Sequence, residues 1–220
     1  MPGLSYRGAG LEDIDFVATA IIHAERSYTD RTIYERVFGI PGAELVGFVK
    51  DMLSEDIPGS ELCCSSWVLA MAGGTTVGGI ATWIEASGNL PSNLIHANLL
   101  AHALGQERWK QAQRDLAVLS EIDIKREPAT MQIEGGYVVP SYRGRGIWNA
   151  TMEHAISRCR VDHPEVEKVQ MISVAENKAA YDTFSKSGFV VAKRTHSDNP
   201  EVESLFPGTG RVLWERALSH

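Results

Sequence analysis

Cysteine is scarce: the 220-residue chain has only Cys63, Cys64 and Cys159, with no CxxC pair and no repeated metal-ligand spacing. Neither a disulfide framework nor a metal site is suggested, and the three read as reduced thiols with packing roles. Long apolar runs are missing too. A stretch such as IATWI, Ile80 to Ile84, is far short of the roughly 20 residues that cross a bilayer. The start MPGLSYRGAGLED lacks a signal-peptide profile, so a cytoplasmic protein with no membrane partner is expected. Positive charge is in deficit, with 21 Lys and Arg against 28 Asp and Glu, a formal net charge of −7. That balance argues against nucleic acid as a partner, because such affinity comes mainly from Lys and Arg neutralising phosphates. It is compatible with a cationic partner and equally with plain solubility. The fingerprints GxxxxGK[ST] and GxGxxG are absent, which removes a P-loop and a dinucleotide site.

What remains is the composition of an ordinary globular protein, 44% apolar and 22% charged, and one domain over residues 1–220 with an insertion at about 86–128 is expected. Apolar residues near helical spacing predict a helix over Leu11 to Arg26 and a second from about Gly42 to Asp56. Ser66 to Ile84, broken by GGTT, reads as a hairpin. Residues 86–128 show a helical stretch near Leu94 to Leu104 and no strand pattern. From Thr130 the pattern becomes strand to Pro140, helix over Ile147 to Asp162, strand over Val169 to Val174, and helix over Lys178 to Ser187. Late strands follow at Phe189 to Lys193 and Val212 to Arg216. The class is mixed α/β.

The most informative segment is YVVPSYRGRGIWNATM, residues 137–152, a strand that enters a turn and then a helix. Gly144 and Gly146 let the backbone approach an anion, while the N–H groups and partial positive charge of the helix start favour phosphate. Arg143 and Arg145 add charge-assisted hydrogen bonds. An isolated RGxG is as often a solvated turn. Here both the preceding strand and the following helix are present.

This turn resembles the coenzyme A pyrophosphate motif of the GNAT superfamily: Gln or Arg, two residues, Gly, one residue, then Gly or Ala. Arg143, Gly146 and Trp148 occupy its defined positions, and Trp148 departs from the expected small residue. The indole either packs in the core on a stripe with Met152, Ala155 and Cys159 or lines the cofactor groove. Downstream, AENKAAYDTFSKSGF resembles the superfamily's N-x-x-A pattern followed by an aromatic and Gly-Phe, through Asn177, Ala180, Phe184, Gly188 and Phe189. Helix capping by Asn177 and Gly188 explains the same residues without a ligand.

The resemblance implies a central mixed, mostly antiparallel sheet of six to seven strands, splayed at the middle and flanked by helices on both faces. It implies transfer of an acetyl or other short acyl group from acetyl-CoA to an amine by direct attack. The cofactor contacts it implies are Val138 and Val139 on the strand, Arg143, Gly144, Arg145, Gly146, Ile147 and Trp148 at the turn, and Asn177, Tyr181 and Phe184 beyond. Backbone N–H groups near Val138 and Val139 are expected to polarise the thioester carbonyl. Glu134 is the candidate base, placed by strand alternation on the face of Gly136 and Val138 and opposite Tyr137; an exposed strand glutamate is the plainer reading. A tyrosine acid is expected seven residues after Asn177, where Phe184 stands. Either Tyr181 takes the role or the thiolate leaves without a protein acid.

Glu25, Tyr28 and Asp30 are candidates for the acceptor pocket, and His96 and His102 are further ones inside the insertion. The expected acceptor is a small-molecule amine, with a protein lysine or N-terminus as the alternative. Residues 86–128 are expected either to roof the acceptor groove or to pack against a second subunit in a homodimer. The departures at Trp148 and Phe184 keep a second reading open, a GNAT-fold module that binds acyl-CoA without catalysis.

Overall fold

The computed structural model describes residues 3–218. Seven strands form one sheet in the order β1-β2-β3-β4-β5-β7-β6: β1 (Leu4–Gly8), β2 (Trp67–Ala72), β3 (Thr75–Ile84), β4 (Met131–Val138), β5 (Lys168–Val174), β6 (Val190–Arg194) and β7 (Arg211–Ala217). The helices are α1 (Ile14–Arg26), α2 (Ile33–Val37), α3 (Leu45–Ser54), α4 (Ser92–Leu119), α5 (Ile147–Asp162), α6 (Lys178–Lys186) and α7 (Pro200–Leu205). All strand pairs are antiparallel except β4 with β5. The expected mixed, mostly antiparallel architecture is therefore the one observed. No helix among the described residues is long and apolar enough to cross a membrane.

Two apolar clusters lie on opposite faces of the sheet. On one, Val17 and Ile21 of α1, Tyr34 of α2, Val49 and Met52 of α3, Leu99 of α4 and Val202 of α7 pack over Trp67, Leu69 and Ala81. On the other, Met152, Ala155, Ile156 and Cys159 of α5 cover Ile80, Met131, Ile133, Val169, Met171 and Trp214, with Phe184 of α6 against them. Segment 86–128 is mostly helical: α4 runs through it and breaks at Gly105, whose φ of +72° and ψ of 164° no helix accommodates.

The pairing of β4 with β5 is short. Only Met131 with Val169 and Gln132 with Gln170 are in register, after which the strands part. A buried polar clasp holds that corner. Gln132 Nε2 donates to Gln170 Oε1 at 3.0 Å and to Thr130 Oγ1 at 2.6 Å, and Gln170 Nε2 donates to Glu215 Oε1 at 2.7 Å. With both amides buried, these bonds satisfy groups that would otherwise be costly in an apolar interior.

β4 also carries a one-residue bulge. Gly79 pairs with Tyr137 and Ala81 with Glu134, so three steps on β4 oppose two on β3. Gly135 takes φ +64° there, and a Cβ on it would lie 2.7 Å from the Trp67 ring, so the position accepts only glycine. Strict alternation put Glu134 and Tyr137 on opposite faces. The extra residue shifts the parity instead, and both side chains emerge on the α1 face.

Candidate active site

Where β4 and β5 diverge, a cleft of about 1650 Å³ runs through the sheet. At one end lies the glycine turn. Gly144 and Gly146 have φ of +72° and +74°, conformations that residues with a Cβ rarely adopt. Gly146 is the N-cap of α5, and Ala150 is the first helical residue whose N–H reaches back into the turn, to Gly146 O at 3.0 Å. The N–H groups ahead of it face the cleft end, as at any helix start. Arg143 Nε donates to Val138 O at 3.0 Å and Arg145 Nη2 to Ser141 O at 3.0 Å, which folds both exposed side chains over the turn. Gly144, Gly146, Arg143 and the α5 start thus fit a diphosphate.

The middle of the cleft is the parted edge of β4. Val139 N–H donates to Val77 O at 3.0 Å, so that donor is engaged in the sheet, contrary to its expected role. Antiparallel partners alternate between bonded and non-bonded pairs, so the Val138 N–H, one residue earlier, points to the open side. Trp148 of α5 and Phe184 of α6 stack with centroids 5.4 Å apart beside this edge. The indole occupies the space over Gly136, where a Cβ would lie 2.1 Å from Nε1. The two residues that depart from the expected motif therefore pack on each other, and both line the cleft. Ile147, expected near the cofactor, is buried against Ala70 and Val77 and lines the cleft at the start of α5.

Asn177 caps α6 by accepting from Ala180 N–H at 3.1 Å, and its Nδ2 donates to Ser27 Oγ at 2.8 Å. One side chain thus ties the α6 start to the end of α1 across the cleft. Tyr181 is elsewhere. It is 43% exposed, meets the Trp214 ring edge-on at 4.9 Å, lies under the Arg194 guanidinium, and is not among the residues lining the cleft.

The far end is acidic. Glu25 from the last turn of α1, Glu61 from the loop before β2 and Glu134 from β4 all line it. Glu134 is ion-paired with Arg126, whose Nη1 also donates to Gln132 Oε1 at 2.7 Å and whose guanidinium lies over Trp83. Burial still pushes the Glu134 carboxyl upward, against the pull of Arg126. Glu25 has no hydrogen bond or ion pair among the described residues, and burial, with Glu61 and Glu134 nearby, raises its pKa to about 8. Glu85 is satisfied by Trp83 Nε1 and Ser92 N–H at 3.0 and 2.9 Å. Tyr28 donates to Pro207 O, and Asp30 is exposed on the rim. His96 of α4 reaches in, whereas His102 lies on the far side of α4, facing α3.

Sequence reasoning named Glu25, Glu134, Tyr28, Asp30 and His96 here and missed Glu61, Tyr34, Arg126 and Arg211. None of the missed four sits in a local motif that announces a site. Thr32-x-x-Glu35, a capping box ahead of α2, was the one signal that a helix would bring Tyr34 inward.

A sheet parted beyond a short parallel pairing, with a glycine turn at a helix start on one side and carboxylates on the other, defines a splayed-sheet acyltransferase fold. The model of the acetyltransferase (GNAT) family matches residues 55–189, more than half of the chain, and the chain belongs to that family. No curated protein sequence matches it. Among solved structures, an N-acetyltransferase from Staphylococcus aureus Mu50 is similar at 14% identity and a TM-score of 0.60, over 96% of this chain and 100% of that one. The polyamine N-acetyltransferase of Drosophila melanogaster is similar at 12% identity and 0.56, over 98% and 100%. N-acetylglutamate synthase from Neisseria gonorrhoeae, solved with coenzyme A and N-acetyl-glutamate, is similar at 14% identity and 0.54, over 100% of this chain and 36% of that one. At these identities the likeness is one of fold. The family uses acetyl-CoA and its members are acyl-transferring enzymes.

Proposed function

We propose that the protein is an N-acetyltransferase that moves an acetyl group from acetyl-CoA to the amine of a small molecule by direct attack. The observation that carries this reading is one cleft with a diphosphate turn at one end, carboxylates at the other and the unpaired β4 edge between them. Gly144, Gly146 and the α5 start would hold the diphosphate, with Arg143 over it, while Arg145, bonded to Ser141 O and lying over Tyr142, adds only longer-range attraction. The cosubstrate supplies an acetyl thioester, whose C–S bond breaks as the new C–N bond forms. The Val138 N–H is aimed where charge grows on the acyl oxygen.

Glu25 is the better base. An alkylammonium has a pKa of about 10.4, so proton transfer to an ordinary glutamate near 4.3 costs about 8 kcal/mol. Transfer to Glu25 at about 8 costs only about 3 kcal/mol. Glu134 is held by Arg126 and sets the field around Glu25. The attacking nitrogen loses a second proton to solvent as the amide forms, and with Phe184 unable to donate and Tyr181 outside the cleft, the departing thiolate takes its proton from solvent.

The Trp148–Phe184 stack beside the β4 edge favours a second reading, an acyl-CoA-binding module without turnover. Purified protein, acetyl-CoA and a panel of amines separate the two, with free thiol and acetylated product as readouts. Thiol release that depends on the amine supports the transferase. Calorimetric acetyl-CoA binding with no release for any amine supports the module.

A further inference from the structure

Two carboxylates at the acidic end lack a full partner. Glu134 is paired with Arg126, Arg211 stands 3.6 Å from Asp123, and Glu85 is satisfied by two N–H donors. That leaves Glu25, with no partner among the described residues, and Glu61, whose Oε1 has only His96 Nδ1 at 3.3 Å. A single primary amine brings one positive charge, and in the proposed reaction Glu25 removes a proton from it. Glu61 is then a second anion with nothing to neutralise, in a recess where an unpaired charge is costly.

Tyr34 adds an independent sign of a ligand. It is 1% exposed, its hydroxyl has no hydrogen-bond partner, and it lines the cleft among Glu25, Glu61 and Glu134, which are the charges its hydroxyl senses. Buried phenol groups are almost always bonded, and this one is left without a partner in the cleft wall beside the three carboxylates. His96 Nε2 is likewise buried without a partner on the same wall. No group of three or more His, Cys, Asp and Glu among the described residues is arranged to hold a metal ion, so dispersed N–H donors on an organic cation suit these atoms better. Phe38 and Leu100 line the same end and give an alkyl chain apolar contact.

We infer that the acceptor is a short diamine, with the attacked nitrogen at Glu25 and the second, still charged nitrogen held by Glu61, the Tyr34 hydroxyl and His96. This rests on the acyl-transfer reading of the same cleft. Transfer to one nitrogen leaves an amide there and an ammonium at Glu61, so the product is the monoacetyl diamine plus free coenzyme A.

The test compares 1,3-diaminopropane, 1,4-diaminobutane and 1,5-diaminopentane with n-butylamine and with glycine, as acceptors in a thiol-release assay and as ligands in calorimetry without cosubstrate. The expected result is a kcat/KM about tenfold or more higher for at least one diamine than for n-butylamine, the worth of one charge-assisted contact. In Glu61→Gln and in Tyr34→Phe that ratio should shrink to about threefold or less. Both replacements keep the side-chain shape, and unchanged thermal melting reports that the variants are folded. A ratio near one in the wild type, a ratio untouched in both variants, or a preference for glycine overturns the inference while leaving acetyl transfer intact. If no amine is turned over, the acyl-transfer reading fails by itself and calorimetry tests the diamine site alone: tighter binding of a diamine than of n-butylamine supports that site, and equal or absent binding overturns it.

Discussion

Replacing Glu25 by Gln should lower activity and raise stability together. Glu25 lies in the cleft with Glu61, Glu134 and Tyr34 around it and Arg211 as the one cation that opposes the shift, and its pKa is raised from 4.5 to about 8. In the folded protein the carboxyl holds its proton more tightly than in the unfolded chain, so stability falls as pH rises from about 4.5 to 8. A dry site would give about 5 kcal/mol for that shift, and water in the open cleft reduces it to ~2 kcal/mol. A neutral Gln should therefore raise the melting temperature at pH 8 and leave it unchanged near pH 4, where both states are protonated. In activity, removal of a general base costs on the order of a hundredfold or more in kcat. The rise of wild-type kcat/KM through about pH 8 should also disappear. Thermal scans and pH–rate profiles of the two proteins read both effects. Turnover within twofold of wild type, with the rise near pH 8 retained, would refute Glu25 as the base.

Three further changes probe the rest of the cleft. Arg143→Glu should weaken acetyl-CoA binding by about 1 to 3 kcal/mol in calorimetry, through the lost guanidinium and the added repulsion. Unchanged affinity would undo the diphosphate assignment. Tyr181→Phe should leave thiol-release turnover unaltered, since the ring packs on Trp214 outside the cleft, and a tenfold loss would return it to the role of thiolate acid. Gly136→Ala drives a methyl into the Trp148 indole and should destabilise the fold by about 1 to 3 kcal/mol in urea titration; a neutral result would mean the indole moves aside freely.

The glycine-turn end of the cleft was legible because its determinants are local. Gly144 and Gly146 adopt the left-handed turn their sequence suggested, Asn177 caps α6, and Gly188 leaves it with φ +79°. The acidic end was not, because tertiary contacts create it. Glu61 sits in an unremarkable SELCC run and becomes a buried carboxylate only when α1, α2 and α4 close around it. The face of Glu134 was misread because two adjacent glycines do not say which of them bulges; the answer comes from the Trp67 ring, far away in sequence, lying against Gly135. α2 and α7, five and six residues long, were missed because neither offers two turns of periodicity. Both carry readable starts, Thr32 with Glu35 and Asn199 with Pro200.

The Gln132–Gln170 clasp has a mechanical meaning. The sheet is two stiff plates, β1 to β4 and β5 to β7, riveted at one corner, and the free edge of β4 runs six residues past the rivet to Val138. At about 3.3 Å per residue that is a lever of ~20 Å. A rotation of about 3° at the corner moves its tip, and with it the Val138 N–H, by ~1 Å, a displacement large on the scale of a hydrogen bond. Arg126 joins the rivet to Glu134 through Gln132, so the join between the two plates and the charge at the acidic end of the cleft share the same few side chains.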